Sequence, residues 1–195
     1  MLEQIRLASK DEDDDDEIES TKVIGNEMFF YGDVSNESIL DFIEKFKKLE
    51  AWLLKIAADI NGYEPTIRVH ICSDGGDLFA GFSAMNVIEK SRCKVTTIAQ
   101  GSCASAATFM LLGGSERKIA RNAHILIHQL SSTCWGKYEE MKDEIKTCDK
   151  LMKMIRETYL NKTKIPEKKL NKLLKRDILL EPSKVISYEI VHAYD

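Results

Sequence analysis

Between residues 37 and 60, apolar side chains recur at helical spacing, with Ile39, Phe42, Ile43, Phe46 and Leu53 on one face. That spacing predicts an amphipathic helix, with Asn36 as its capping residue. Ahead of it, Met28-Phe-Phe-Tyr31, closed by Gly32, reads as a short strand where ordered structure begins. Thr66-Ile-Arg-Val-His-Ile-Cys72 reads as a second strand, broken by Ser73-Asp-Gly-Gly76, and residues 79–91 look helical. Lys94-Val-Thr-Thr-Ile-Ala99 is another strand, followed by Gly101 and a helix of small residues starting near Ser105. Two short strands follow, Arg117-Lys-Ile-Ala120 and Ile125-Leu-Ile127. Alternating strands and helices to about residue 128 predict an α/β domain with a mostly parallel sheet.

Beyond that point the pattern is helical. Tyr138, Met141, Ile145, Cys148, Met152, Ile155 and Tyr159 repeat at alternating steps of three and four, a heptad seam on a helix over about 136–161. Such a seam packs either on its own domain or on a helix from another subunit, and spacing alone leaves both open. Pro166 opens a further short helix and Pro182 starts the C-terminal one.

Composition narrows the function classes. The 195 residues suit one domain, 44% of them are hydrophobic, and no apolar run reaches membrane-spanning length. No signal-like segment occupies the N-terminus, which points to the cytoplasm. The net charge of −4 gives no reason to expect nucleic acid as a partner. Seven successive acidic residues, Asp11 to Glu17, cannot bury apolar area, so residues 1–20 are read as a flexible arm and 21–195 as the folded domain. Five scattered cysteines form no C-x-x-C pair and no zinc spacing, so no metal is expected and the thiols read as reduced and core-buried.

Candidate chemistry sits at three breaks. In Gly101-Ser-Cys-Ala-Ser-Ala-Ala107, small residues leave the Ser105 hydroxyl uncrowded at a strand-to-helix turn, where unpaired N–H groups favour developing negative charge. The same small residues also suit tight helix packing. Ser73-Asp-Gly-Gly76 can bring backbone N–H groups to a ligand, or be only a turn. It is not a phosphate loop, since the chain has no G-x-x-x-x-G-K-[ST]. His124 and His128, four residues apart, lie roughly 13 Å apart if both are on one strand, so both cannot serve one serine. Residue type does not choose between them.

In order and spacing, S-D-G-G, G-S-C-A-S-A-A, I-L-I-H-Q and R-D-I-L-L-E-P resemble the proteolytic subunits of the Clp protease family. The likeness runs from about Phe29 to Val191 and implies a crotonase-like α/β head with a protruding helical handle. It implies Ser105 as nucleophile, His128 as base and Asp177 as the residue orienting that base. It further implies Gly75 and Ala106 as oxyanion-hole donors, with Gly76, Ser131 and Ser132 along the substrate groove. Asp74 replaces the family's usual proline, Ala106 a methionine and Leu130 a proline. The strand expected after the base reads Ser131-Ser-Thr-Cys-Trp135 in place of a glycine-rich run.

The resemblance implies hydrolysis of unfolded polypeptides by a homo-oligomer of two stacked seven-membered rings. It implies no cofactor in this chain, with ATP consumed by a separate AAA+ unfoldase, and it makes the acidic run a candidate pore gate. Two rival readings are a non-catalytic Clp-like structural subunit and a crotonase-fold enzyme acting on acyl-CoA.

Overall fold

The computed structural model describes residues 19–195, so the acidic run at 11–17 lies outside the described residues. Its sheet has the order β1 (Thr21–Ile24), β2 (Glu27–Tyr31), β3 (Thr66–Ser73), β4 (Lys94–Ala104), β5 (Glu116–Ile119), β8 (Ala193–Tyr194). β6 (His124–Leu126) branches off β4, and β7 (Leu179–Leu180) pairs antiparallel with β6. From β2 to β8 every pairing is parallel, as the strand–helix alternation predicts.

Order begins earlier than the apolar pattern suggests. β1 lies ahead of Met28 and forms an antiparallel pair with β2, with Thr21 opposite Phe30. The helix α1 (Asn36–Asp59) is capped by Ser35 and not by Asn36. Ser38 N–H donates to Ser35 Oγ at 3.1 Å and Ser35 N–H to Ser38 Oγ at 3.0 Å, a reciprocal box that satisfies two N–H groups at once. Phe42, Phe46 and Leu53 of α1 are buried, each stabilising the fold by about 1.5–3 kcal/mol relative to exposure. The helices α2 (Leu78–Glu89), α3 (Ala107–Leu112), α5 (Glu167–Leu173) and α6 (Pro182–Ser187) complete the fold, with Asp77 capping α2 through a 2.7 Å bond from Ala80 N–H.

The heptad seam divides along α4 (Tyr138–Lys162). Ile155 and Tyr159 are buried in this chain's own core and Met152 packs against it, whereas Tyr138 and Ile145 are exposed. Only the second half of the seam therefore finds its partner within the chain. The thiols divide too, with Cys93 and Cys103 buried, Cys72 and Cys148 half-buried and Cys134 exposed, so the core reading holds for two of the five.

Strand β4 shapes the centre of the molecule. Two steps along β3, from Ile71 to Ser73, span four along β4, from Ala99 to Cys103. The surplus forms a bulge at Gly101 (φ +96°). Before it β4 pairs with β5, through Thr96 to Ala99; after it β4 pairs with β6, through Ser102 to Ala104. The strand thus runs five residues past its expected end and delivers Ser105 beside the chain leaving β6.

The C-terminal edge carries a pH-sensitive contact. Arg117 N–H donates to His192 Nδ1 at 3.1 Å. Burial, and then the Arg117 charge, hold the imidazole pKa below its usual 6.5. A depressed histidine favours folding above its unfolded pKa, and that contribution is lost as pH falls through the folded value. Thermal stability is therefore expected to decline as pH drops below about 6.5, and His192→Asn should shrink that dependence in melting curves taken across pH 5–8.

Candidate active site

Ser105 belongs to no helix. It occupies the turn between β4 and α3 at φ +51°, one of two non-glycine residues with positive φ among those described. A serine there is strained by about 1–3 kcal/mol, and such strain gathers at functional sites. The turn is pinned from both sides. Ser105 N–H donates to Leu126 O at 2.9 Å, while Ser105 O accepts from Thr108 N–H at 3.0 Å and Thr108 Oγ1 at 2.6 Å. Among the described residues, no partner engages the Ala106 N–H at the entrance to α3.

Ser105 and His128 line one cavity of about 360 Å³ together with Gly76, Ala106, Ser131 and the apolar side chains of Phe79, Phe109, Leu130, Leu151, Ile155 and Tyr159. His128 lies two residues past β6 and is half-buried. His124, at the start of β6, is exposed and lies away from the cavity. His128 Nδ1 approaches Asp177 Oδ1 at 3.5 Å, longer than an ordinary N–H···O bond, and the Asp177 carboxylate is 78% exposed. With Nδ1 turned toward Asp177, Nε2 is the ring nitrogen left for the cavity.

The glycine turn packs directly behind the serine. Gly75 has φ +100°, and a Cβ there would lie 2.6 Å from Ser105 Cβ, 2.8 Å from Ala104 O and 2.9 Å from Ala106 N. Only glycine fits this approach. Its N–H is already engaged, donating to Ser73 Oγ at 3.1 Å, so the expectation that Gly75 supplies an oxyanion donor does not match the hydrogen bonding. The neighbouring Gly76 N–H has no such partner among the described residues, and Gly76, unlike Gly75, lines the cavity.

Asp74, standing in place of a proline, accepts a hydrogen bond from Ser102 Oγ on β4 and so ties the glycine turn to the strand carrying Ser105. The turn thereby gains by side-chain bonding some of the rigidity a proline ring would give. Ser131–Trp135, expected as a strand, pairs with no strand among the described residues and is exposed throughout, Trp135 at 98%. Ser131 reaches the cavity wall, but Ser132 does not. Thr108, bonded to Ser105 O, has no signal in the sequence, and Tyr159 of the cavity wall has only its place in the heptad seam.

The sequence profile of the Clp protease family matches residues 29–193. The chain belongs to that family. Among curated members it is 35% identical over 127 residues to the ATP-dependent Clp protease proteolytic subunit 2 of Treponema denticola, covering 64% of each chain. It is 28% identical over 148 residues to the corresponding subunit 2 of Bacillus licheniformis, covering 75% of this chain and 77% of that one. A point mutant of ClpP1 from Listeria monocytogenes superposes with a TM-score of 0.75 at 21% identity, over 88% of this chain and 91% of the other. This Clp protease chain shares the mixed α/β fold of that structure. No described helix is long and apolar enough to cross a membrane.

Proposed function

We propose that residues 21–195 form the peptidase domain of a Clp-type serine endopeptidase that cleaves unfolded polypeptides through an acyl-enzyme. The observation that carries this reading is the strained Ser105 beside His128 in one cavity, with His128 Nδ1 facing Asp177. Ser105 Oγ attacks the substrate carbonyl while His128 Nε2 takes its proton, and the C–N bond breaks as that proton passes to the leaving amine. Water then attacks the ester carbonyl, His128 again moving the proton, and Ser105 is released. Asp177 holds the imidazole tautomer. Ala106 N–H and Gly76 N–H, both free of backbone partners, receive the oxyanion. Substrate side chains enter the apolar wall formed by Leu130, Leu151 and Ile155.

No step requires a bound cofactor in this chain, and ATP is used by a separate AAA+ unfoldase. The names of the relatives, ATP-dependent proteolytic subunits, support that division of labour. Family membership and the exposed Tyr138–Ile145 half of the α4 seam support a homo-oligomer of two stacked heptameric rings joined through α4. We assign this assembly to the cytoplasm.

A fluorogenic peptide with a large apolar residue before the scissile bond tests the reaction, run beside acyl-CoA thioesters. Peptide turnover without thioester turnover is expected. Thioester turnover alone would replace this reading with the acyl-CoA one. Because Asp177 is so exposed, Asp177→Asn is expected to lower kcat less than the roughly 10⁴-fold typical of a buried triad aspartate, and parallel kcat measurements on His128→Ala and Asp177→Asn check the ranking.

A further inference from the structure

The peptide group joining Ser105 to Ala106 has its carbonyl and its N–H on opposite sides, and the two are coupled. In the proposed reaction the N–H side faces the oxyanion. The carbonyl side is held by a chain that begins in α4, at Tyr159, 51 residues beyond Thr108. Thr108 Oγ1 donates to Ser105 O at 2.6 Å, which uses the only proton that hydroxyl has. Thr108 Oγ1 is also hydrogen-bonded to the Tyr159 hydroxyl, so Tyr159 must be the donor in that bond. Burial raises the Tyr159 pKa, which keeps the phenol neutral and its proton in place. Thr108 and Tyr159 are both at most 1% exposed, so the bond between them is buried.

We propose that Tyr159 and Thr108 are positioning residues for the oxyanion hole, orienting and polarising the Ser105–Ala106 peptide so that the Ala106 N–H meets the transition state. The inference rests on the proposed role of Ser105 and Ala106. Two donors on Ser105 O fix the plane of that peptide, and therefore the direction of the Ala106 N–H, at a turn whose φ is unfavourable for serine. Hydrogen bonds in series also polarise one another in a dry interior, making the amide a stronger donor. Such a donor matters where charge develops, so its loosening lowers kcat and leaves KM nearly unchanged.

Tyr159 is simultaneously a wall of the cavity and part of α4, and its ring stacks at a tilt on Phe109 of α3, 5.5 Å between centroids. The same helix that carries the exposed apolar seam therefore reaches the nucleophile turn through one hydrogen-bonded chain.

The test separates the Thr108 hydroxyl from its methyl. Thr108→Val keeps the shape and loses the donor; Thr108→Ser keeps the donor and loses the methyl. Removing an oxyanion donor outright costs about 10²–10³ in kcat, so Thr108→Val is expected to lose about tenfold with KM within about twofold of wild type. Thr108→Ser should stay within about threefold, and affinity for a peptide boronate, which forms a tetrahedral adduct on the serine, should follow kcat across the set. Tyr159→Phe should fall between the two. Adding it to Thr108→Val should cause little further loss, since both act through one carbonyl.

A larger loss in Thr108→Ser than in Thr108→Val would show a packing role and overturn the inference. So would wild-type kcat in both Thr108→Val and Tyr159→Phe. Absence of peptidase activity in the wild-type protein would instead overturn the reading of Ser105, and the inference with it.

Discussion

Ser105→Ala is expected to lower peptide hydrolysis by on the order of 10⁶, the scale seen when a triad nucleophile is removed. The fold should survive, because the bonds that pin the turn, from Ser105 N–H to Leu126 O and from Thr108 to Ser105 O, involve only the backbone atoms of residue 105. A companion variant separates chemistry from strain. Serine and alanine both resist φ +51°, whereas glycine adopts it freely. Ser105→Gly should therefore be as inactive as Ser105→Ala but at least as stable. Relief of about 1–3 kcal/mol of strain offsets the 0.4–1 kcal/mol or so that glycine adds to the entropy of the unfolded chain. Melting temperatures of the two inactive variants decide the point. A Ser105→Gly protein that melts well below Ser105→Ala would mean the turn is not held under strain.

The second large effect is expected at Gly75. A methyl group there would sit 2.6 Å from Ser105 Cβ and under 3 Å from the backbone of residues 104 and 106, and none of these atoms belongs to a flexible chain end. Gly75→Ala must therefore move the nucleophile, the Ala106 N–H, or the glycine turn itself. Activity is expected to fall at least about 10²-fold, the scale for loss of oxyanion geometry, together with a lower melting temperature. Gly62→Ala is the matched control. Gly62 also has positive φ, +83°, but a Cβ there meets nothing within 4 Å. That variant should lose about 1 kcal/mol of stability and keep its kcat. Equal loss of activity in both variants would show that backbone strain in general, and not contact with Ser105, is responsible.

These positions also show what could be read from the chain alone. The apolar runs of β3 and β4 and the helical face of α1 follow from burial, a force that leaves a periodic trace, and they were legible. β7 and β8, of two residues each, are held by pairing with distant strands, and β1, of four, by a tight hairpin with β2, so none leaves a long period of its own. The small residues around Ser105 marked the right turn, yet its left-handed backbone, at φ +51° on a serine, is not a conformation that residue type predicts.

His128 was distinguishable from His124 only through family resemblance. The structure gives a physical reason: β6 ends at Leu126, which leaves His124 on the strand, exposed, and turns His128 into the cavity. Gly75 and Gly76 look equivalent in sequence. Which N–H is free depends on where Ser73 Oγ points, a matter of one side-chain rotation. Apart from the R-D-I-L-L-E-P likeness, Asp177 reads only as an exposed charge, and it comes to His128 in the region where β7 docks on β6. The pairing of Thr108 with Tyr159 was likewise invisible, because the seam that buries Tyr159 also explains it as core.

The heptad seam was ambiguous for a sound reason: the helix does two things. Ile155 and Tyr159 complete this chain's own core, while Tyr138 and Ile145 remain uncovered. One repeat thus serves two environments, and no reading of spacing could have assigned the halves.

The central claim is that Ser105 is an activated nucleophile, and intact-mass analysis after treatment with a fluorophosphonate tests it most directly. The reagent phosphonylates a serine only where a base takes up the hydroxyl proton and the fluoride can leave. The account predicts one adduct per chain on the wild-type protein, none on Ser105→Ala, and slow or absent labelling of His128→Ala. An adduct of equal extent on wild type and Ser105→Ala, or none on folded wild-type protein, would contradict it.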